Sequence, residues 1–243
     1  MGSTSFCCTD INDSSVIADI ITEASQNIFS ITSYKALLQQ LTNNFSFSEM
    51  DLTLFDPIKN SIISPTSSSI SNINKFLDHF KVKNKPNKIN CFELLLFSFS
   101  ITHQDGQDKD LLFDFYNLNL HYEKKQGEKL SKSVDRSTLK IILCKIIFYS
   151  TQFILNILER DLRMQEYIEL YMNKFSYENI TNFADYLLSE FDRIIKDSSN
   201  VSLICNKNYF FSLDDLKLCF TNYKFIFNVK SLIKEFDKFI DIN

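Results

Sequence analysis

Residues 88–119, KINCFELLLFSFSITHQDGQDKDLLFDFYNLN, decide the fold. Phe92 to Phe99 is apolar almost throughout, the composition of a helix buried on most of its surface. A polar break around Gly106 follows, then a second apolar run, Leu111 to Tyr116, leading into an Asn-x-Asn turn at Asn117 and Asn119. The reading is helix, short break, helix, turn, with both apolar runs in the core.

Composition narrows the rest. The chain has 243 residues, enough for one large domain or two small ones. It carries 24 Phe and 10 Tyr but no Trp, so aromatic rings dominate the expected core. Only 3 Gly and 3 Pro are present, too few for the tight turns of a sandwich or barrel, so the expected class is mainly α. Gly2, Gly106 and Gly127 cannot form a glycine-rich phosphate cradle. A net charge of −4 with interspersed signs lacks the clustered basic face of a nucleic-acid binder, and the Lys-rich run 81–88 reads as solvated surface. Cys91, Cys144, Cys205 and Cys219 stand singly in apolar runs and read as buried reduced thiols of a cytoplasmic protein. Residues 141–158 are apolar enough to suggest a membrane span, but Lys145, Gln152 and Asn156 interrupt them, and a buried core helix is expected.

Working outward, residues 14–24 read as a helix, residues 30–41 as an extended Ile31, a Thr32 or Ser33 cap and a second helix, and residues 47–58 as a third, capped by Ser46 or Ser48 and stopped near Pro57. Residues 59–72 are Ser-rich low complexity and residues 73–80 a short helix. Residues 120–133 read as an exposed charged loop, and Asp135 or Ser137 caps a long helix from Thr138. Helices are expected over 161–173, 177–196 and 229–240, the second strongly amphipathic, and residues 209–220 read as an extended residue, a cap and a helix. The leader, MGSTSFCC, holds Gly2, which can accept myristate, and Cys7 and Cys8, which can accept palmitate. Phe6 stands where the myristoylation pattern wants Ser or Thr, so a lipid anchor and a plain tail both stay open.

One local pattern recurs four times. A β-prone apolar residue precedes a Ser, Thr, Asp or Asn cap and then a helix, at Ile31-Thr32, Ile89-Asn90, Val134-Asp135 and Phe211-Ser212. This resembles the EF-hand, in which the eighth loop residue pairs across a tiny sheet, the ninth caps the exit helix and the twelfth is a bidentate Glu. The resemblance implies paired helix-loop-helix hands in which Ile31 pairs with Ile89 and Val134 with Phe211. It divides the chain into a leader (1–13), a first pair of hands (14–116) and a second pair with a C-terminal helix (117–243). Counted from Ile89 and Phe211, the vestigial loop positions are Asn84, Asn90 and Glu93, then Asn206, Asn208 and Asp215. Asn117 and Asn119 open an expanded third loop. Calcium needs roughly six to eight oxygens with several carboxylates. Each of the two best loops keeps one acidic position and begins with an apolar residue, Val82 or Ile204, so the expectation is no metal and no cofactor.

Residues 88–119 look like the centre of calcineurin B-like and neuronal calcium sensor proteins. Over residues 14–240 the chain is more similar to the EF-hand-like N-terminal region of TLDc-domain proteins, through ITSYKALLQQL, SEMDLTLF, KINCFELLLFSFS, VDRSTLKIILCKIIFYS and SLDDLKLCFTNYKFIFNVKSLI. That family continues into a TLDc domain, to which nothing in residues 1–243 corresponds. The resemblance implies a calcium-independent adaptor whose apolar groove receives a partner helix, tethered to a lysosomal or other cytosolic membrane face. The final helix is a candidate to fill that groove in cis. His79, His103 and His121 sit in no nucleophile or HExxH setting, so no catalytic residues are expected. A functional calcium sensor or calcineurin B-like regulatory subunit, and a generic helical subunit that folds with a partner, are the alternatives.

Overall fold

Apolar spacing and caps set the helices. A computed structural model describes residues 13–28, 37–39, 49–54, 77–102, 111–125, 133–157, 165–198 and 210–242, and these are mainly helical. Helix α1 (Asp13–Ile28) turns Ile17, Ala18 and Ile21 inward, one face of a helical period. Helix α2 (Cys91–Thr102) is buried nearly all round, as its unbroken apolar run requires. Asn90 Oδ1 accepts from the Glu93 amide at 3.2 Å and so starts α2 where the sequence placed it. Helix α3 (Leu111–Lys125) follows, then α4 (Arg136–Phe148), capped by Asp135, which accepts from the Ser137 and Thr138 amides at 2.9 and 3.3 Å.

Helix α4 runs through a π-helical turn (Tyr149–Phe153) into α5 (Ile154–Ile157). From Arg136 to Asn156 it is long and apolar enough to cross a membrane by length and composition, yet 72% of its most apolar window is buried inside the protein. Helices α6 (Gln165–Lys174) and α7 (Tyr177–Ser198) follow, the latter burying Ile180, Phe183, Ala184, Leu187, Leu188 and Phe191 along one stripe. Helix α8 (Leu213–Asn222), a 3₁₀ turn (Lys224–Phe227) and α9 (Val229–Ile242) complete the described chain.

Two small antiparallel sheets tie these helices together. In the first, β3 (Lys85–Asn90) lies between β1 (Glu49–Asp51) and β2 (Lys81–Val82). In the second, β4 (Val134–Asp135) pairs with β5 (Phe210–Phe211), placing Val134 opposite Phe211 as expected. The first sheet differs from expectation. Ile89 is flanked by Met50 on one side and Lys81 on the other, so both its ladder positions are taken, and Ile31 lies outside the described residues. Residues 49–51, expected within a helix over 47–58, are therefore strand, and helix begins only at residue 52. Met50 is buried opposite Ile89, and pairing across the sheet overrides the local helical pattern.

The third expected loop is also corrected. Helix α3 runs to Lys125 and contains Asn117 and Asn119, along with the first residues of the charged loop expected over 120–133. Asn119 is fully buried and donates its Nδ2 to the Phe115 carbonyl at 2.7 Å, a bond back to the preceding turn that keeps an amide inside a helix. The boundary expected between residues 116 and 117 thus falls inside α3. Contacts also cross between the two expected halves, with α1 packed on α9 and α2 on α4. The core is aromatic throughout. Phe99, Phe115, Phe220 and Phe227 meet mostly edge to face, with Phe115 and Phe220 centroids 5.1 Å apart, and Phe175, Phe183 and Phe236 form a second group.

Candidate functional site

Two places concentrate side chains that chemistry could use: the strand-to-helix joints and a cleft between α7 and α9. At the first joint, Lys81–Asn90 is a hairpin with Lys83 and Asn84 at its tip, rather than an open ligand loop. Asn84 holds φ at 70° in the left-handed region that Asn tolerates, and it is exposed. Asn90 is engaged twice, its amide donating to the Phe80 carbonyl at 2.7 Å and its side chain capping α2.

Glu93 is engaged by residues far along the chain. Lys145 Nζ lies 2.6 Å from its Oε1, and the Tyr149 hydroxyl donates to its Oε2 at 2.6 Å. Burial of the ring, followed by the Glu93 charge and hydrogen bond, raises the Tyr149 hydroxyl far above the ordinary phenol range. The second joint is built differently. Ser212 Oγ accepts from the Asp215 amide at 3.2 Å while Asp215 Oδ2 accepts from the Ser212 amide at 2.9 Å, a reciprocal capping box. Both acidic twelfth-position residues are thus held by protein groups. Among the described residues no three His, Cys, Asp or Glu side chains converge to hold a metal ion. Asn206, Asn208, Gly2, Cys7 and Cys8 lie outside the described residues.

Of the other reactive side chains, Cys91 and Cys219 are buried, Cys144 is half-buried and His79 is exposed. Cys91, Cys144 and Cys219 are reduced thiols. Burial, reinforced by Asp215 and Asp192, pushes Cys219 up to about 12, and burial also raises Cys144. Thiols so placed stay protonated and make poor nucleophiles. His79 sets its ring edge-on against Phe153, with centroids 5.2 Å apart.

The cleft is walled by Phe183 and Tyr186 of α7, Tyr223 just before the 3₁₀ turn and Phe225 within it, and Phe239 and Ile242 of α9. Its volume is about 570 Å³, within the range of ligand and anchor pockets. Phe239 packs on Phe183 and Tyr186 with centroids 5.3 and 5.4 Å apart, forming one wall, while Tyr223 and Phe225, 5.6 Å apart, form the other. Tyr223 is fixed by donating its hydroxyl to Glu190 Oε2 at 2.9 Å, and burial together with that bond pushes its pKa up to about 12. Asn182 and the Glu235–Lys238 pair, 2.6 Å apart, add polar groups to the lining. Tyr186 remains 41% exposed and Ile242 83%, an open apolar mouth.

Comparison with protein-family models, curated proteins and solved structures returned no match. The sequence reading missed the cleft because Tyr186 stands off the apolar stripe of α7, and only the packing of α9 brings Phe239 beside it. An aromatic residue on the polar side of a strongly amphipathic helix was the available signal.

Proposed function

We propose that this chain is a non-catalytic, calcium-independent EF-hand-like adaptor that receives the apolar face of a partner helix in the cleft between α7 and α9. The observation that carries this reading is the aromatic cleft, open at Tyr186 and Ile242 and polar at Asn182, Glu235 and Lys238. Recognition of an amphipathic helix uses such a groove, with apolar anchors spaced along the partner and polar contacts around them. Helix α9 buries Val229, Leu232, Ile233 and Phe236 in the molecule and gives Phe239 and Ile242 to the cleft. It therefore fills part of the apolar surface in cis and walls the remainder.

The EF-hand-like reading draws on the pairing of Val134 with Phe211 and on caps directly after paired apolar residues at Ile89, Val134 and Phe211. Calcium independence draws on Glu93 and Asp215 being held by protein groups. Kinship with TLDc-associated or calcineurin B-like regions, and a membrane tether through Gly2, Cys7 or Cys8, rest on sequence pattern alone. Intact mass after co-expression with an N-myristoyltransferase tests the tether.

Panning a displayed library of amphipathic helical peptides against the chain tests the cleft. Selected peptides are expected to carry large apolar residues at i, i+3 or i+4 and i+7, and to lose binding about 100-fold in Phe239→Lys, a central-anchor effect. Peptides indifferent to Phe239→Lys and Tyr186→Ala would sink the reading. A calorimetric calcium titration of the unaltered chain should give no heat of binding.

A further inference from the structure

We infer that the Lys145 ammonium is the resident cation of the Ile89–Glu93 joint, taking the place that calcium has beside the twelfth residue of an EF-hand. This rests on the EF-hand-like reading above, which makes Glu93 the twelfth residue counted from Ile89 as the eighth. In such a hand the carboxylate on the first turn of the exit helix faces the loop and its metal, and metal binding resets the angle between the helices. Glu93 stands on that first turn, and its two oxygens face Lys145 and Tyr149 instead, each at 2.6 Å. The Glu93 side chain is 20% exposed and that of Lys145 30%, so water screens their attraction less than it would a surface pair.

Helix α4 is shaped around this contact. Tyr149 opens the π-helical turn, and its amide is shared between the Ile146 and Lys145 carbonyls. A π-helical turn is rare and recurs where a side chain must be aimed. Here the Tyr149 ring sits between Phe97 and Phe153, with centroids 5.6 and 5.4 Å away, and its hydroxyl reaches Glu93. The cation is covalently tethered and always present. The start of α2 is therefore held to α4 at every calcium concentration, and the hand has one position rather than two.

A double-mutant cycle on the full chain tests this. Lys145→Met keeps the stem and removes the charge, while Glu93→Gln keeps the shape of its partner. Lys145→Met alone should lower the Tm by about 3 °C. In the Glu93→Gln background the same change should be close to neutral, and Lys145→Arg should restore most of the loss. Amide exchange should quicken in β3 and the first turns of α2 and stay unchanged in α9. An equal Tm loss in both backgrounds, or a uniform rise in exchange, overturns the assignment by reducing Lys145 to packing. Peptides selected on the cleft should bind Lys145→Met normally, so a failed cycle with intact peptide binding rejects the cation alone and spares the adaptor reading.

Discussion

The joints at Ile89–Glu93 and Phe211–Asp215 share one local grammar and use it in opposite ways. Each has a fully buried apolar residue in a ladder, a polar cap immediately after it and an acidic residue three positions beyond the cap. At Phe211 the acid folds back onto its own cap, and the joint is complete within four residues. At Ile89 the acid crosses to α4 and bonds residues more than fifty positions away in the chain. The neighbours differ as well: α4 and the π-helical turn after it present Lys145 and Tyr149 to Glu93, whereas Asp215 sits beside Ser212, whose hydroxyl and amide both reach it. A carboxylate on the first turn of a helix takes whichever donors are in reach, so similar motifs, one with Asn90 and Glu93 and the other with Ser212 and the shorter Asp215, give one long-range link and one local cap.

Truncating the shared ladder residue should erase the comparison altogether. Phe211→Ala is expected to cost about 3–5 kcal/mol and Ile89→Ala about 2–5 kcal/mol, each read by urea unfolding. A loss below about 1 kcal/mol at either site would mean that the joint collapses around the gap and does not organise its helices.

Tyr149→Phe sharpens the difference, since it removes one of the two bonds to the Glu93 carboxylate and should cost about 1–2 kcal/mol. It also carries a pH signature. The hydroxyl of Tyr149 is raised in the folded chain from its usual value near 10, so the unfolded state loses that proton first. The stabilisation is complete below pH 10 and falls as pH rises above it. Wild-type stability should therefore decline more steeply above pH 10 than that of Tyr149→Phe, measured by unfolding across alkaline buffers. Parallel curves would remove Tyr149 from the link.

Ser212→Ala probes the local joint, with an expected loss of about 1 kcal/mol and faster amide exchange confined to the first turn of α8. Exchange spreading to α4 would show that the two joints are coupled after all. The smallest effect is expected at the tip of the first hairpin. Asn84 already holds a left-handed conformation that Gly also accepts, so Asn84→Gly should shift stability by less than about 0.5 kcal/mol.

Helix positions were legible where the apolar spacing was long, as in α7 and α9, or where a cap stood directly before the helix, as in α8. The Val134–Phe211 pairing was expected from the resemblance of the repeated apolar-cap-helix pattern to paired hands, and the two residues do face each other in the second sheet. Residues 49–51 were misread because their strand state exists only against β3. Asn117 and Asn119 were misread because Asn-x-Asn favours a turn in isolation, while the apolar neighbours Phe115 and Leu118 pull the segment into the core as helix. The cleft was hidden for a related reason. Its walls come from α7, α9 and the turn between α8 and α9, and no single stretch carries its aromatic set.

By itself, the sequence determined the mainly helical class, the buried Phe92–Phe99 run and the caps at Asn90, Asp135 and Ser212. These follow from interactions within a few residues, where spacing is the whole of the geometry. Of the Leu111–Tyr116 run, expected in the core, only Leu111, Phe115 and Tyr116 are buried, and Phe113 is 54% exposed. Tertiary structure alone decided which strand flanks Ile89, where Glu93 and Asp215 send their carboxylates, and which aromatic rings stay uncovered beside α9. Those outcomes depend on distances between segments far apart in the chain. Residues 88–119 specify two helices, and α4 decides what the acid on the first of them is for.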